Sequence, residues 1–216
     1  MRIKEIFLDL LFPPRCAFCQ EFGVHGVCPS CEKSLPYTDV PCCTGAGFGV
    51  CVSPLLYEGI ARESILRFKF RGGKGNAEGY GRLLAQSVAE AFSGEFDLVT
   101  WVPISAQRKR ERGYDQAYLL AQETAKLWDT EPVQLLTKTR HNAAQSTLNS
   151  ASARRANVLG VYETCNASAW KGKNILLIDD ILTTGATLAE CVRVLREDGA
   201  KNVVCATLAR TAAATR

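Results

Sequence analysis

The sequence predicts an α/β protein in which a parallel sheet flanked by helices follows a small cysteine-rich N-terminal module. Residues 175–178 form a short continuous apolar run, which is typical of a strand buried on both faces of a parallel sheet. Helical and strand patterns alternate from about Ser53 onward, whereas the residues before it are rich in cysteine, glycine and proline. We therefore predict two parts, residues 1–52 and residues 53–216.

The elements of the second part follow in order along the chain. Apolar residues at helical spacing predict helices over residues 80–92 and 114–128. Strands are predicted over residues 97–103, near residues 133–136 and over residues 202–208. The run at 175–178 and a helix over residues 186–196 complete the alternation.

Polar residues concentrate between that strand and that helix. Asp179 and Asp180 stand at the carboxyl end of the strand, where open α/β sheets bind ligands. Gly185 permits a turn with positive φ, and the N-terminus of the following helix suits a phosphate. Carboxylates repel phosphate but accept hydrogen bonds from vicinal sugar hydroxyls, so the set predicts a phosphorylated ribose. The predicted phosphate turn consists of Thr183, Thr184, Gly185, Ala186 and Thr187.

A plain strand-to-helix turn is the alternative for this segment. Asp180 or one threonine would then be the N-cap of the helix, which explains one acid and one hydroxyl. It does not explain the whole set of polar residues.

Four cysteines in the N-terminal part have the spacing of a zinc site. Two C-x2-C pairs separated by eight residues offer four thiolates to a tetrahedral ion, and a full set of protein ligands predicts a structural Zn²⁺. A redox-active pair and unrelated buried thiols are the alternatives. The predicted ligands are Cys16, Cys19, Cys28 and Cys31, whereas Cys42, Cys43 and Cys51 lack this pairing and have no assigned role.

A basic segment follows the predicted strand over residues 97–103. Arg108, Arg110 and Arg112 lie in a loop predicted over residues 103–117, where cations would stabilise a departing diphosphate. A solvated surface loop is the alternative. The predicted position of the segment beside the strand at 175–178 favours the binding role.

The net charge and the N-terminal sequence exclude few classes of ligand but do bear on the cellular location. The net charge of +4 permits an anionic substrate or nucleic acid without demanding either. No convincing signal peptide and no apolar stretch of membrane-spanning length occurs, so we expect a cytoplasmic protein with reduced thiols. The apolar positions of an N-terminal helix that packs on the body or on a partner are Ile3, Ile6, Phe7 and Leu10.

The stretch "ILLIDDILTTGAT" resembles the thirteen-residue signature of the type I phosphoribosyltransferases, which bind 5-phosphoribosyl 1-diphosphate (PRPP). Together with the four-cysteine ribbon, "YEGIARESILRFKFRG" and "RKRERGYDQA", it is similar to the competence protein F (ComF/GntX-like) family. The chain departs from the usual R-G-F-N-Q of that family at Tyr114 and Asp115.

The resemblance implies a type I phosphoribosyltransferase-like sheet behind a zinc ribbon, with PRPP and Mg²⁺ as ligands. Asp179 and Asp180 would contact the ribose hydroxyls, the phosphate turn would hold the 5′-phosphate, and residues 108–112 would stabilise the diphosphate. A mobile loop that covers PRPP is predicted over residues 138–158, with Arg140, His141, Gln145, Arg154 and Arg155.

Two functions follow from the resemblance. The first is transfer of phosphoribosyl to an unidentified acceptor, with a link to DNA uptake during natural transformation. The second is a non-catalytic, PRPP-responsive module that binds single-stranded DNA or proteins of the uptake machinery through its zinc ribbon and basic segments.

Overall fold

The computed structural model describes residues 13–140 and 158–212. The helices are α1 (Pro29–Ser34), α2 (Gly59–Phe70), α3 (Ala77–Phe92), α4 (Ala106–Arg112), α5 (Gln116–Ala125), α6 (Ala167–Trp170) and α7 (Ala186–Glu197). The strands are β1 (Cys42–Gly45), β2 (Gly49–Val52), β3 (Leu55–Leu56), β4 (Leu98–Trp101), β5 (Leu136–Lys138), β6 (Tyr162–Thr164), β7 (Asn174–Leu182) and β8 (Asn202–Arg210).

The main sheet is mostly parallel. Its strand order is β1-β2-β8-β7-β4, and β3 also pairs with β8. Of the strand pairs that the described residues form in this sheet, β1–β2 is antiparallel and the others are parallel, and β5 and β6 form a separate antiparallel hairpin. The predicted α/β class with a parallel sheet is therefore confirmed.

Apolar residues cover both faces of β7. Leu176 and Ile178 pack into a core with α2, α3, α5 and the N-terminal segment. Ile175 and Leu177 pack into a second core with α7 and the β5–β6 hairpin. All four side chains are fully buried, which is why this stretch of the sequence is apolar without alternation.

Strand β7 is longer than the apolar run. It continues to Leu182 because Asp179, Ile181 and Leu182 keep their register with β8. The two acids are therefore the sixth and seventh of the nine residues of the strand and do not lie beyond its end. Residues 179–181 are only partly buried, so their side chains reach the edge of the sheet where a ligand can approach.

Two further predictions differ from the structure in detail. The strand predicted near residues 133–136 begins at Leu136, because the N–H of Val133 donates to the carbonyl of Val99 and extends the edge of β4 instead. The predicted basic loop contains helix α4. Ser105 caps this helix by accepting from the N–H of Arg108, and Gly113 ends it with φ of 79°.

The N-terminal segment shares its core with the rest of the chain. Cys16, Phe18 and Cys28 lie in the same buried cluster as Leu176 of β7, and β1 and β2 belong to the main sheet. The boundary between residues 52 and 53 stays a prediction. The predicted N-terminal helix and residues 141–157 of the predicted covering loop lie outside the described residues.

Candidate functional site

A cavity of about 280 Å³ opens at the carboxyl ends of β4 and β7. Three separate segments singled out in the sequence meet there: the acids of β7, the phosphate turn and the basic helix α4. The polar residues that line it include Lys69, Arg108, Arg112, Lys138, Tyr162, Asp179, Asp180, Thr183 and Thr187.

Asp179 is held at the floor of the cavity. Its Oδ1 accepts a hydrogen bond of 2.8 Å from the N–H of Asp180. Burial and, to a smaller extent, the neighbouring carboxylate of Asp180 raise the pKa of Asp179 to about 8. A cation or sugar hydroxyl that enters the cavity would stabilise the ionised form and reverse this shift.

Asp180 has a cationic partner that the sequence analysis did not assign. Nζ of Lys69, near the end of α2, lies 2.9 Å from Oδ2 of Asp180, and both side chains are mostly buried. Lys69 belongs to the positive stretch "RFKFRGGK", but a charge run alone does not show which carboxylate a lysine meets. Among the described residues, Asp180 has this ion pair and Asp179 has none, so the two acids lie in different electrostatic environments.

The phosphate turn has the backbone that the sequence predicts. Gly185 has φ of 74° and precedes the first residue of α7, whose N-terminus points toward the turn. Thr183 and Thr187 line the cavity, while Thr184, Gly185 and Ala186 belong to the same turn but not to the cavity wall.

Gly185 is also required by packing against the β1–β2 turn. A Cβ at this position would lie 2.3 Å from Cε1 of Phe48, whose ring is buried beneath the phosphate turn. The glycine-rich stretch around Phe48 reads in the sequence as a flexible turn. In the structure it is the hairpin that supports the predicted phosphate site.

Gly185 is required both for its positive φ and for the close approach of Phe48, so replacing it by alanine should destabilise the protein in two ways. Left-handed backbone costs an ordinary residue about 1–2 kcal/mol, and the overlap with Phe48 adds about 1–3 kcal/mol. We expect the free energy of unfolding, measured by urea denaturation, to fall by about 2–5 kcal/mol.

Gly113→Ala is the matched control for this substitution. Gly113 has nearly the same φ, but a Cβ added there would have no other atom within 4 Å. The free energy of unfolding of Gly113→Ala should fall only by the backbone contribution of about 1–2 kcal/mol. Equal losses in the two variants would contradict the role of Phe48.

Two of the three arginines of helix α4 line the cavity. Arg108 and Arg112 are four residues apart, so they lie on the same face, and both line the cavity. Burial lowers the pKa of Arg108, which lies beside Arg112. The guanidinium of Arg112 lies 5.0 Å from the ring centroid of Phe70. Arg110 lies outside the cavity lining, so a role for it in binding stays a prediction.

The β5–β6 hairpin adds a lysine that the sequence analysis did not single out. Nζ of Lys138 donates to the hydroxyl of Tyr162 over 3.3 Å. Burial and, to a smaller extent, the charge of Arg108 lower the pKa of Lys138 to about 8. Lys138 therefore joins Arg108 and Arg112 in a group of crowded cations, which favours an anionic ligand between them.

Asp115 has a structural role at the entrance to α5. Its carboxylate accepts hydrogen bonds from the N–H groups of Ile104 and Tyr118, so it caps α5 and ties it to the chain after β4. Burial raises its pKa. This contact explains how the chain tolerates an acid at the position where the resembling family has an amide.

The four predicted zinc ligands meet in one cluster. The sulfur atoms of Cys16, Cys19, Cys28 and Cys31 all lie within 4.8 Å of one another. The N–H of Cys28 donates to Sγ of Cys16 over 3.3 Å, and the N–H of Cys31 donates to Sγ of Cys28 over 3.4 Å. Such bonds stabilise thiolates, and four sulfur donors in this arrangement fit a structural Zn²⁺.

The first cysteine pair is docked on α2 and α3 through its backbone. The carbonyl of Ala17 accepts hydrogen bonds from Ser64 and Tyr80, and the carbonyl of Phe18 accepts one from Arg67. The ring of Phe18 packs edge-on against Tyr80, with ring centroids 5.3 Å apart. Helix α2 thus contacts the segment between Cys16 and Cys19 through Ser64 and Arg67, and it lines the cavity through Lys69.

Two family models match the chain. Residues 112–216 match the phosphoribosyl transferase domain, and residues 7–59 match the double zinc ribbon domain. Among the described residues the structure forms one four-cysteine cluster, and Cys42, Cys43 and Cys51 do not form a second.

Curated relatives match most of the chain. It is 32% identical over 185 residues to competence protein ComFC of Bacillus subtilis, covering 85% of this chain and 72% of that protein. It is 28% identical to DNA utilization protein YhgH of Escherichia coli K12, covering 86% and 84%. It is 27% identical to competence protein F of Haemophilus influenzae, covering 91% and 96%.

Solved structures show weaker similarity. Glutamine phosphoribosylpyrophosphate amidotransferase from B. subtilis gives a TM-score of 0.43 at 24% identity, covering 62% of this chain and 26% of that chain. Phosphoribosylpyrophosphate synthetase from Mycobacterium smegmatis gives a TM-score of 0.37 at 24% identity, covering 59% and 33%. The chain thus spans about a third or less of these two proteins, and its assignment rests on the family models and the curated relatives.

The parallel sheet, the family models and the cysteine cluster define a phosphoribosyltransferase-type domain combined with a zinc ribbon. Within the described residues, no helix has the length and apolar character needed to cross a membrane. The chain belongs to the competence protein F family, as its identity with the B. subtilis protein over most of both chains shows.

Proposed function

We propose that this protein binds PRPP with Mg²⁺ and transfers the phosphoribosyl group to an acceptor that has yet to be identified. The observation that carries the proposal is the convergence of three segments on one cavity. Carboxylates, threonine hydroxyls and guanidinium groups line the same small space, in the combination that a phosphorylated sugar diphosphate requires.

The acids would bind the ribose. Carboxylate oxygens accept hydrogen bonds from vicinal hydroxyls and are the ligands that Mg²⁺ prefers, so Asp179 and Asp180 fit both roles. Mg²⁺ would supply positive charge to the diphosphate and ribose oxygens when it is bound. The ammonium of Lys69 neutralises Asp180 in the structure, so an entering ligand competes with it.

The turn and the basic groups would bind the two phosphate ends of PRPP. Thr183 and Thr187 lie at the N-terminus of α7, where hydroxyls and backbone N–H groups suit the 5′-phosphate. Arg108, Arg112 and Lys138 would bind the diphosphate. As the bond from ribose C1 to the diphosphate oxygen breaks, the leaving group gains negative charge, and these fixed cations would stabilise it.

A nucleophilic atom of the acceptor would then form the new bond to C1. No covalent intermediate with the protein is required, because positioning and charge stabilisation supply the rate enhancement. The relatives are named for competence and DNA utilization, and we extend that role to this chain. A reducing cytoplasm suits the protein because its zinc site needs thiolates.

Thermal unfolding of the zinc-loaded protein with PRPP and Mg²⁺ tests the proposal. A ligand that binds only the folded state raises its stability by about 2.7 kcal/mol at a hundredfold excess over the dissociation constant. The parent should show this shift, and the double variant Asp179→Asn, Asp180→Asn should lose it.

Glu78→Gln is the matched control, because it also converts a carboxylate to an amide. Glu78 pairs with Arg82 on the surface of α3, away from the cavity, and should keep the shift. A folded parent without any shift would overturn the proposal.

A non-catalytic role in binding single-stranded DNA would then become the better assignment. It has one local observation in its favour: the guanidinium of Arg15 lies 4.0 Å from the ring centroid of Phe22, which is 61% exposed on the zinc ribbon. Exposed stacked pairs of this kind can bind unpaired bases.

A further inference from the structure

The β1–β2 hairpin carries three cysteines that neither the zinc cluster nor the cavity uses. Cys43 and Cys51 are directly opposite each other in the antiparallel pair. The N–H of Ser53 donates to the carbonyl of Pro41, and since pair types alternate along the ladder, the Cys43–Cys51 pair is of the hydrogen-bonded type. Cα atoms in such pairs are about 5.5 Å apart, which lies within the range that disulfides span.

The Cys43 thiol is directed toward its neighbour strand. Its Sγ lies 3.5 Å from the carbonyl oxygen of Cys51. Cys42 belongs to the opposite core cluster, because successive side chains of a strand alternate between faces. The geometry therefore pairs Cys51 with Cys43 and separates it from Cys42.

A buried cation lies close to this pair. Arg210, at the end of β8, is only 3% exposed and donates from Nη2 to the carbonyl of Val40 over 2.7 Å. Its Nε and Nη1 are buried without a hydrogen-bond partner, and among the described residues it forms no ion pair with a carboxylate. A buried guanidinium in this position favours a nearby anion.

Cys43 can be that anion. Its hydrogen bond with Cys51 and, to a smaller extent, the charge of Arg210 lower its pKa to about 7 against the effect of burial. The thiolate, not the thiol, is the nucleophile in cysteine oxidation. Cys51 is fully buried and its pKa is raised, so it has the properties of the second, resolving thiol.

We propose that Cys43 and Cys51 form a redox-active dithiol, which hydrogen peroxide oxidises to a disulfide across the β1–β2 hairpin. The Cys43 thiolate attacks one peroxide oxygen, the O–O bond breaks, and with one proton the products are a sulfenic acid and water. The Cys51 thiol then displaces the sulfenic oxygen as a second water and forms the S–S bond. Two thiols are oxidised and one peroxide is reduced.

The site lies apart from the PRPP cavity and does not depend on the function proposed for it. The same hairpin does carry Phe48, which packs beneath Gly185 of the phosphate turn. A disulfide across this hairpin would therefore constrain the element on which that turn rests.

Peroxide treatment of the zinc-loaded full-length protein, followed by alkylation and trypsin digestion, tests the assignment. Cys42, Cys43 and Cys51 fall in one tryptic peptide, residues 34–62. After oxidation this peptide should lose two hydrogen atoms and accept one alkyl group instead of three. Zinc content measured before and after shows whether the four-cysteine cluster is still loaded.

Variants identify the pair. Cys43→Ser and Cys51→Ser should prevent the disulfide, whereas Cys42→Ser should keep it and leave the peptide without alkylation. Arg210→Gln should slow oxidation near pH 7 by several-fold, and Arg210→Lys should restore most of the rate because it keeps the charge. Full alkylation of the parent peptide after peroxide treatment, or a disulfide that contains Cys42, would overturn the proposal.

Discussion

Removal of the zinc ion should destabilise the whole protein and not only its N-terminal ribbon. Structural zinc contributes about 10–16 kcal/mol of apparent binding free energy in isolated zinc-finger peptides, which is comparable to the total stability of many domains. Three of the four cysteines, Cys16, Cys28 and Cys31, are buried in the main core. Without the ion, this core would contain a cluster of closely spaced thiols that no metal ion joins.

The effect should extend to α2. Ser64 and Arg67 of this helix donate to the backbone of the first cysteine pair, and loss of that partner leaves buried donors unsatisfied. The same helix places Lys69 against Asp180. We therefore expect zinc loss to increase hydrogen exchange along α2 and to weaken PRPP binding, although no zinc ligand touches the cavity.

The substitution Cys28→Ser, Cys31→Ser tests this expectation. Elemental analysis should find about one zinc ion per chain in the parent, because four cysteines bind one tetrahedral ion, and less than that in the variant. The variant should unfold at a much lower urea concentration. Cys165→Ser is the control, because this lone thiol lies outside the cluster. A zinc-free protein with the urea midpoint of the parent would contradict the structural role.

The two adjacent acids should have opposite effects on the stability of the ligand-free protein. Asp179→Asn keeps an oxygen that can accept from the N–H of Asp180 and removes a carboxylate whose ionisation is unfavourable. We expect it to raise the free energy of unfolding at pH 7.5 by at most about 5 kcal/mol. Asp180→Asn leaves the ammonium of Lys69 without its partner and should lower that free energy by about 2 kcal/mol.

The gain from Asp179→Asn should depend on pH. The folded protein holds the proton of Asp179 up to about pH 8, whereas the unfolded chain releases it near the ordinary value of 3.8. The contribution of this group to stability is therefore fully present at low pH and is lost as the pH rises between these values. The difference between variant and parent should widen by at most about 1.4 kcal/mol per pH unit, until it levels off above about pH 8.

Urea denaturation at pH 6, 7 and 8 measures this difference, and both single variants should fail to bind PRPP. Stability changes of the same sign in the two variants would contradict the distinct environments of the acids. A stabilised variant that no longer binds ligand would also indicate that Asp179 is kept for binding at a cost in stability.

Local features of the fold were predictable because they depend on neighbouring residues. The apolar run at 175–178 is buried from both faces, and Gly185 adopts the positive φ that the turn before α7 requires. Predictions failed where tertiary pairing competed with local pattern. Strand β7 continues through two acids because β8 continues beside it, and the chain near Val133 extends the edge of β4.

The candidate site was predictable in part. The acids, two threonines and two arginines were found in the sequence and meet in the cavity, whereas Arg110 does not line it. Lys69 and Lys138 were not assigned, since each belongs to a segment whose pattern has an ordinary explanation as a charged surface. Their burial and their partners become visible only when α2 and the β5–β6 hairpin are placed against β7.

The sequence by itself determined which four cysteines meet, the turn before α7 and the pair of acids at the cavity, because each depends on residue types and spacing within a short segment. Only the tertiary structure decided that Lys69 pairs with Asp180, that Phe48 supports Gly185, and that Arg210 lies beside Cys43. These contacts join residues far apart in the chain. Their formation depends on how complete elements pack, which the spacing of residues within one segment does not specify.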